Sequence, residues 1–101
     1  MDTREEINTV IDLVRDYLEE HGSQAGLDYI TAEETEHIIN IGASVLCTKW
    51  GVGYEGGGFV QAVVSNDLMG AFSRADVTST KALRFFCHLM YNVVQPSFNN
   101  N

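Results

Sequence analysis

The chain has 101 residues, of which 45% are apolar, and a formal net charge of −8. This size and composition exclude a disordered chain and predict one globular domain, spanning residues 1–101, with its own core. No apolar run approaches the roughly 20 residues that a membrane-spanning helix needs, and the acidic N-terminus is unlike a secretory signal. We therefore expect a cytoplasmic protein in which Cys47 and Cys87 are buried free thiols.

The acidic residues are concentrated at the start of the chain. Residues 1–36 hold eleven acids and two bases, whereas residues 37–101 hold three acids and four bases. Binding to nucleic-acid phosphates or to anionic lipids needs clustered Lys and Arg. The charge therefore disfavours direct nucleic-acid and membrane-surface binding, and it leaves a basic protein partner open.

Hydrophobic periodicity predicts an all-α fold, a bundle of about four helices. The first helix covers about residues 4–21 and ends before Gly22. The second begins after Thr31, which has capping-box spacing to Glu34, and ends at Gly51. Its inner face contains Gly42, where the missing side chain predicts a close approach by another helix.

The third and fourth helices are predicted at about 58–74 and from about 78 to Pro96. Apolar residues at helical spacing form the third helix's inner face: Val60, Val63, Val64, Leu68, Ala71, Phe72 and Ala75. In the fourth helix, Phe85 and Leu89 lie off the main apolar stripe. That helix is therefore either the centre of the bundle or half of a homodimer interface. We expect a frayed tail at 96–101 and leave open short strands at 28–30 and 52–54.

A glycine-rich loop, residues 51–58, separates the second and third helices, with five glycines in eight positions. Backbone N–H groups at a helix N-terminus attract anions, but the Lys and Ser or Thr of a phosphate-binding loop are absent after the last glycine. The composition favours a structural turn. In the alternative interpretation the loop is part of a binding surface; its candidate binding residues are Tyr54, Gly56, Gly57 and Gly58.

The third helix and the turn after it carry an unusual set of polar residues. Asp67 and Arg74 lie two turns apart, about 10 Å along one face, and Asp76 follows closely. One interpretation is a salt bridge from Arg74 to Asp67 or Asp76 that fixes the 75–78 turn. The other is a recognition patch of Asn66, Asp67, Arg74 and Asp76, in which the guanidinium binds a carboxylate or phosphate.

No catalytic or metal-binding pattern is present in the sequence. His88 follows Cys87 directly, but neighbouring helical residues point about 100° apart, so the two are a poor nucleophile–base pair. No local spacing of Cys and His favours zinc. The sequence therefore predicts no cofactor and no metal, and it favours a protein that is not an enzyme.

Residues 57–68 read Gly-Gly-Phe-Val-Gln-Ala-Val-Val-Ser-Asn-Asp-Leu, and Arg74-Ala75-Asp76 follows. This stretch resembles a group of small uncharacterised proteins encoded by bacteriophages and prophages, which share G-G-F-x-x-A-V-x-x-N-D-L, then R-A-D, then a helix ending near Tyr-Asn. The resemblance covers roughly residues 54–92, and Val77-Thr78-Ser79-Thr80 departs from the group's Asp-Glu-Asn run. It implies a viral origin and a location in the host cytoplasm, and it brings no assigned activity.

The leading hypothesis is a non-enzymatic phage accessory protein that binds another macromolecule, most simply a protein. The glycine-rich loop and the Asn66–Arg74 helix would form its binding face. One alternative is an acidic nucleic-acid mimic that blocks a host DNA-binding protein. The other is a binder of a small anionic ligand at the glycine-rich loop.

Overall fold

The computed structural model describes residues 3–98, and within that range it contains six α-helices, one 3₁₀ turn and no strand. The elements are α1 (Thr3–His21), a 3₁₀ turn (Ser23–Ala25), α2 (Ala32–Trp50), α3 (Gly58–Val64), α4 (Leu68–Arg74), α5 (Val77–Lys81) and α6 (Leu83–Asn92). The all-α prediction is confirmed, and the strands considered at 28–30 and 52–54 are absent. None of these helices is long and apolar enough to cross a membrane. The predicted frayed tail falls partly on 99–101, outside the described residues.

The long helix α2 begins and ends with the signals that its sequence predicts. Thr31 Oγ1 accepts a hydrogen bond from Glu34 N, and Glu34 Oε1 accepts one from Thr31 N, both at 3.0 Å. At the other end Gly51 adopts a left-handed conformation, with φ 69°, and its N–H donates to the carbonyl of Cys47. The capping box and the glycine stop therefore satisfy backbone groups that the helix leaves unpaired.

The core forms where α1, α2 and α6 meet at Gly42. A Cβ placed on Gly42 would lie 2.8 Å from Val14 Cγ1 and 2.9 Å from Leu89 Cδ1. These distances are shorter than real carbon–carbon contacts, so only glycine lets the two side chains approach the α2 backbone. The close approach predicted from the sequence is confirmed.

The helix α6 is the centre of the fold. Phe85, Phe86 and Leu89 have no solvent exposure. Aromatic contacts connect α6 to two other helices. The ring centroids of Phe85 and Tyr17 of α1 are 6.0 Å apart, and those of Phe86 and Phe59 of α3 are 5.8 Å apart. The inner face of this helix is therefore covered within one chain, as expected for a helix near the centre of the bundle, and the homodimer interface stays a prediction.

The third and fourth predicted helices are each divided in two, so the prediction of four helices is wrong in number. The third ends at Val64, where Asn66 adopts φ +67°, and α4 starts after Asp67. The N–H groups of Asn66 and Asp67 donate to Val63 O at 3.1 Å and to Ala62 O at 2.8 Å. These two bonds form a Schellman motif, with Asn66 in the position that glycine usually takes.

The fourth predicted helix starts at Val77, one residue from the predicted position, and is interrupted at Ala82. Asp76 begins it, since Asp76 Oδ1 accepts a hydrogen bond from Ser79 N at 2.7 Å. The buried Ala82 then separates α5 from α6. The last helical residue is Asn92, four residues before Pro96.

Three contacts between ionisable side chains attach neighbouring elements to α2. Arg15 Nη1 and Nη2 donate to the two carboxylate oxygens of Glu36, at 2.7 and 3.2 Å. Lys81 Nζ lies 2.7 Å from Glu34 Oε2. His37 Nε2 lies 3.0 Å from Asp76 Oδ2. The hydrogen bond from Lys81 lowers the pKa of Glu34 below its ordinary value, and the one from Arg15 lowers the pKa of Glu36. The pKa of Asp76 is lowered as well, chiefly by the backbone N–H of Ser79.

We expect Gly42→Ala to destabilise the fold by about 1–3 kcal/mol, the usual cost of forcing an extra methyl group into a packed core. Urea denaturation would measure the change in the free energy of unfolding. Gly57→Ala is the matched control, because a Cβ there meets nothing within 4 Å. Equal stabilities for the two variants would contradict the assignment of Gly42 as the central contact.

We expect the melting temperature to fall as the pH drops below about 4, the ordinary pKa of a carboxylate side chain. Because the pKa values of Glu34, Glu36 and Asp76 are lowered by folding, their contribution is complete above that pH and is lost as they protonate. Glu34→Gln keeps the capping box but loses the carboxylate, so its melting temperature should fall less on acidification. Glu33→Gln, which removes an exposed acid on the same turn, should follow the wild type in thermal melts from pH 7 to 2.5.

Candidate functional site

The short helix α4 directs most of its apolar side chains toward solvent. Leu68, Met69 and Phe72 are 58%, 84% and 51% exposed, whereas Ala71 is buried. We call these three exposed residues the α4 surface. Leu68 and Phe72 were predicted to lie in the core, and this is wrong because the left-handed turn at Asn66 breaks the helical phase that would have buried them.

The α4 surface adjoins the outer side of α6. Tyr91, which is largely exposed, donates its hydroxyl to Asn66 Oδ1 at 3.4 Å. Beneath Leu68 is a small hollow of about 30 Å³, which Leu83 and Cys87 of α6 also line. Burial raises the pKa of the Cys87 thiol, so this cysteine is not an activated nucleophile.

On another side of α4, Arg74 extends over the start of α3. A Cβ on Gly58 would lie 3.0 Å from Arg74 Cδ, and Arg74 Nη1 donates to Gly70 O at 3.2 Å. Gly58, Asp67 and Arg74 line one open depression of about 320 Å³ together with Gln61 and Ser65. A side chain at 58 would require Arg74 to shift by a few tenths of an ångström.

The predicted salt bridge of Arg74 is not formed. Within residues 3–98, Arg74 lies within ion-pair distance of no carboxylate. Asp67 instead caps α4 through a 2.9 Å bond from Gly70 N, and Asp76 caps α5 and pairs with His37. The 75–78 turn is therefore fixed by the cap at Asp76 and not by Arg74.

The predicted binding residues do not form one cluster. Gly58, Asp67 and Arg74 share the depression beside α3, Asn66 contacts Tyr91, and Asp76 lies against α2. The remaining three belong to the connection between α2 and α3: Tyr54, Gly56 and Gly57. Asn66, Asp67 and Asp76 each have a local structural role, because they end or begin a helix.

The 51–57 connection lies against α1 and α2. Gly56 N donates to Thr48 Oγ1 at 2.8 Å, and Gln61 Nε2 donates to Gly56 O at 2.8 Å. Tyr54 is 77% exposed and lies at the edge of a hollow of about 190 Å³ between α1 and α2. The other lining residues are Ile7, Ile11, Asn40, Ala43, Ser44 and Cys47.

Sequence reasoning missed both the α4 surface and this hollow. The signal for the first was the Asn66-Asp67 pair, because Asn tolerates a left-handed conformation and Asp is a common helix N-cap. The hollow joins residues 7, 44 and 54, which are far apart in the chain, and no local pattern marks it.

The histidine, cysteine and acidic side chains of residues 3–98 form no group of three or more that could hold a metal ion. His37 pairs with Asp76, and His21 contacts the ring of Tyr17 at 4.4 Å. The pKa of the Cys47 thiol is raised by burial, as is that of Cys87. The two thiols are therefore mostly protonated at neutral pH.

The chain matches no protein-family model, and comparisons with curated proteins and with solved structures returned no match.

We expect Asn66→Ala to lower the free energy of unfolding by about 1 kcal/mol, the usual cost of a left-handed conformation for a residue with a Cβ and no local polar group. Asn66→Gly should be more stable than Asn66→Ala, because both lose the bond to Tyr91 but only glycine adopts this conformation without strain. Chemical denaturation of both variants measures the difference. If alanine and glycine gave the same stability, the turn would not limit the fold.

Proposed function

We propose that this protein is a non-enzymatic accessory protein of a bacteriophage or prophage that binds another protein through the α4 surface in the host cytoplasm. The observation that carries the proposal is the exposure of three large apolar side chains on one seven-residue helix. Contiguous apolar surface on a folded protein is costly to keep in water and commonly marks a binding site. Met and Phe are also enriched at the centres of protein interfaces.

The α4 surface is held rigidly, which supports a binding role. The Schellman motif fixes the chain before α4, Asp67 caps its first turn, and Ala71 packs into the core. A helix fixed in this way loses little conformational freedom when a partner docks, so more of the contact energy is available for affinity. Arg74 and Tyr91, at either side of α4, are residue types that often dominate interface energetics.

The resemblance to phage and prophage proteins supports the same region. Of the residues shared with that group, Asn66 lies in the turn that ends α3 and Asp67 precedes α4. Asp76, the last residue of the shared Arg-Ala-Asp run, begins α5. The motif thus corresponds in this chain to the unit that presents the α4 surface. We propose that members of the group with these letters expose a similar surface.

A second candidate function is a nucleic-acid mimic that blocks a basic host protein. Exposed acids along α1 and in the first part of α2 favour it, among them Asp12, Asp16 and Glu19. Against it, Arg15 and Lys81 neutralise Glu36 and Glu34 on the same surface. Binding to a basic host protein that weakens steeply between low and high salt would support mimicry, and salt-independent binding would exclude it.

The anion-binding alternative has less support from the geometry. The depression beside Gly58 contains Arg74, but the carboxylate of Asp67 lines it as well. An anion bound there would meet a negative charge close to the positive one.

A homodimer through the last helix also remains a proposal. Phe85, Phe86 and Leu89 of α6 lie inside the chain, whereas Tyr91 of the same helix and Val94 after it are exposed. Light scattering of the purified protein would give the oligomeric state.

We expect Met69→Asp to abolish partner capture, because a charge placed at the centre of an apolar contact must be desolvated. The wild-type protein would be immobilised and exposed to host lysate, and the captured partner would be identified. The affinity of Met69→Asp for this partner should be at least about 30-fold lower, as for a hot-spot residue. Tyr29→Asp is the matched control, since Tyr29 is 98% exposed and lies outside α4.

Both variants should melt within a few degrees of the wild type, because neither side chain is buried. Capture that is lost equally in the two variants, or kept by Met69→Asp, would contradict the assignment of the α4 surface.

A further inference from the structure

The hollow between α1 and α2 has mainly apolar walls. Ile7 and Ile11 of α1 lie on one side, and Ala43 and Cys47 of α2 lie on the other. Its volume is about 190 Å³. An apolar cavity of about 150 Å³ is known to hold a benzene molecule, so this space is large enough for a six-membered ring.

The hollow stays open because the chain is held tightly on both sides of Tyr54. A Cβ on Gly53 would lie 2.8 Å from Ile7 Cγ1, and one on Gly56 would lie 2.7 Å from Ser44 Oγ. The two glycines therefore bring the backbone closer to the helices than other residues permit. Tyr54, between them, keeps most of its ring in solvent and does not fill the space.

Two hydrogen-bonding side chains at the hollow have no partner within the described chain. The hydroxyl of Ser44 and the carboxamide of Asn40 both line it, and neither bonds to another residue of 3–98. Binding sites for small molecules typically combine apolar walls with a few polar groups of this kind, which fix the orientation of the ligand.

One acidic side chain acts on the hollow, while Arg4 lines a neighbouring depression that shares Ile7 and Tyr54 with it. Glu6 lies close enough to Cys47 for its carboxylate to raise the pKa of that thiol, in addition to the effect of burial. A ligand with a negative charge would meet the same repulsion, and no Lys or Arg lines the hollow to offset it.

We propose that this hollow binds a small uncharged molecule of about eight non-hydrogen atoms, a ring or branched aliphatic group with one hydroxyl or amide that bonds to Ser44 or Asn40. This site is separate from the α4 surface and does not depend on its role. For a ligand of this size the dissociation constant is expected to be on the order of 1 mM.

The two cysteines provide the test, because each lines a different hollow. Cys47 lies in the proposed site, and Cys87 lies beneath Leu68. The probe is benzyl alcohol, and the readout is the rate of alkylation of each thiol by N-ethylmaleimide, resolved by mass spectrometry of peptides. At 10 mM benzyl alcohol, alkylation of Cys47 should slow about tenfold, as simple occupancy predicts, while the rate at Cys87 stays unchanged.

Benzoate is the matched control ligand, since it has the same ring with a carboxylate in place of the hydroxymethyl group, and it should leave both rates unchanged. Equal slowing at both cysteines would indicate general stabilisation of the fold and would overturn the proposal. No slowing at Cys47 up to 10 mM, or the same slowing by benzoate, would also overturn it.

Ser44→Ala tests the role of the hydroxyl. Losing one hydrogen bond should raise the dissociation constant of benzyl alcohol about fivefold, so that 10 mM slows the alkylation of Cys47 only about threefold; the Cys87 rate is the check on folding. If the variant unfolded, both thiols would react faster. The comparison of benzyl alcohol with benzoate on the wild-type protein would then still test whether the hollow binds an uncharged ligand. The two proposals can fail separately. If no partner binds the α4 surface while benzyl alcohol still protects Cys47, the proposed function fails and this site stands.

Discussion

The contact at Gly42 is the constraint on which the rest of the structure depends. Val14 of α1 and Leu89 of α6 both occupy the space where a Cβ would stand. Because α2 is approached from two sides at one residue, α6 is brought to the centre of the fold, where Phe85 and Phe86 are fully buried. Of the shorter helices, α3 and α5 contact both α2 and α6, whereas α4 packs mainly on α3.

The divided third helix decides what the protein presents to its surroundings. A continuous helix from 58 to 74 would have buried Leu68 and Phe72 on the same face as Val60. The Schellman motif at Asn66 instead redirects the chain, and only Ala71 of α4 enters the core. A structural motif of six residues, 62–67, thus converts part of an apolar stripe into exposed surface, and that surface is the basis of the proposed function.

The long elements were predictable because their signals are local and agree with one another. In α2 the periodicity, the capping box at Thr31 and the stop at Gly51 indicate the same helix, and the close approach at Gly42 follows from its place on the inner face. The break at Asn66 was not predictable from periodicity, because the apolar spacing continues through it. The expected pairing of Arg74 failed for a related reason, since the nearby acids were already used as helix caps. The hollow at Cys47 needs three distant segments in contact, which only tertiary structure supplies.

The uneven placement of charge gives the molecule an electric polarity. Residues 1–36 carry eleven of the fourteen acids, whereas Arg74 and Arg84, on α4 and α6, are paired with no carboxylate within residues 3–98. A dipole of this kind experiences a torque near a charged body, over distances of about a Debye length, roughly 8 Å at physiological ionic strength. A cationic body would therefore attract the acidic first third of the chain more strongly than it attracts α4 and α6.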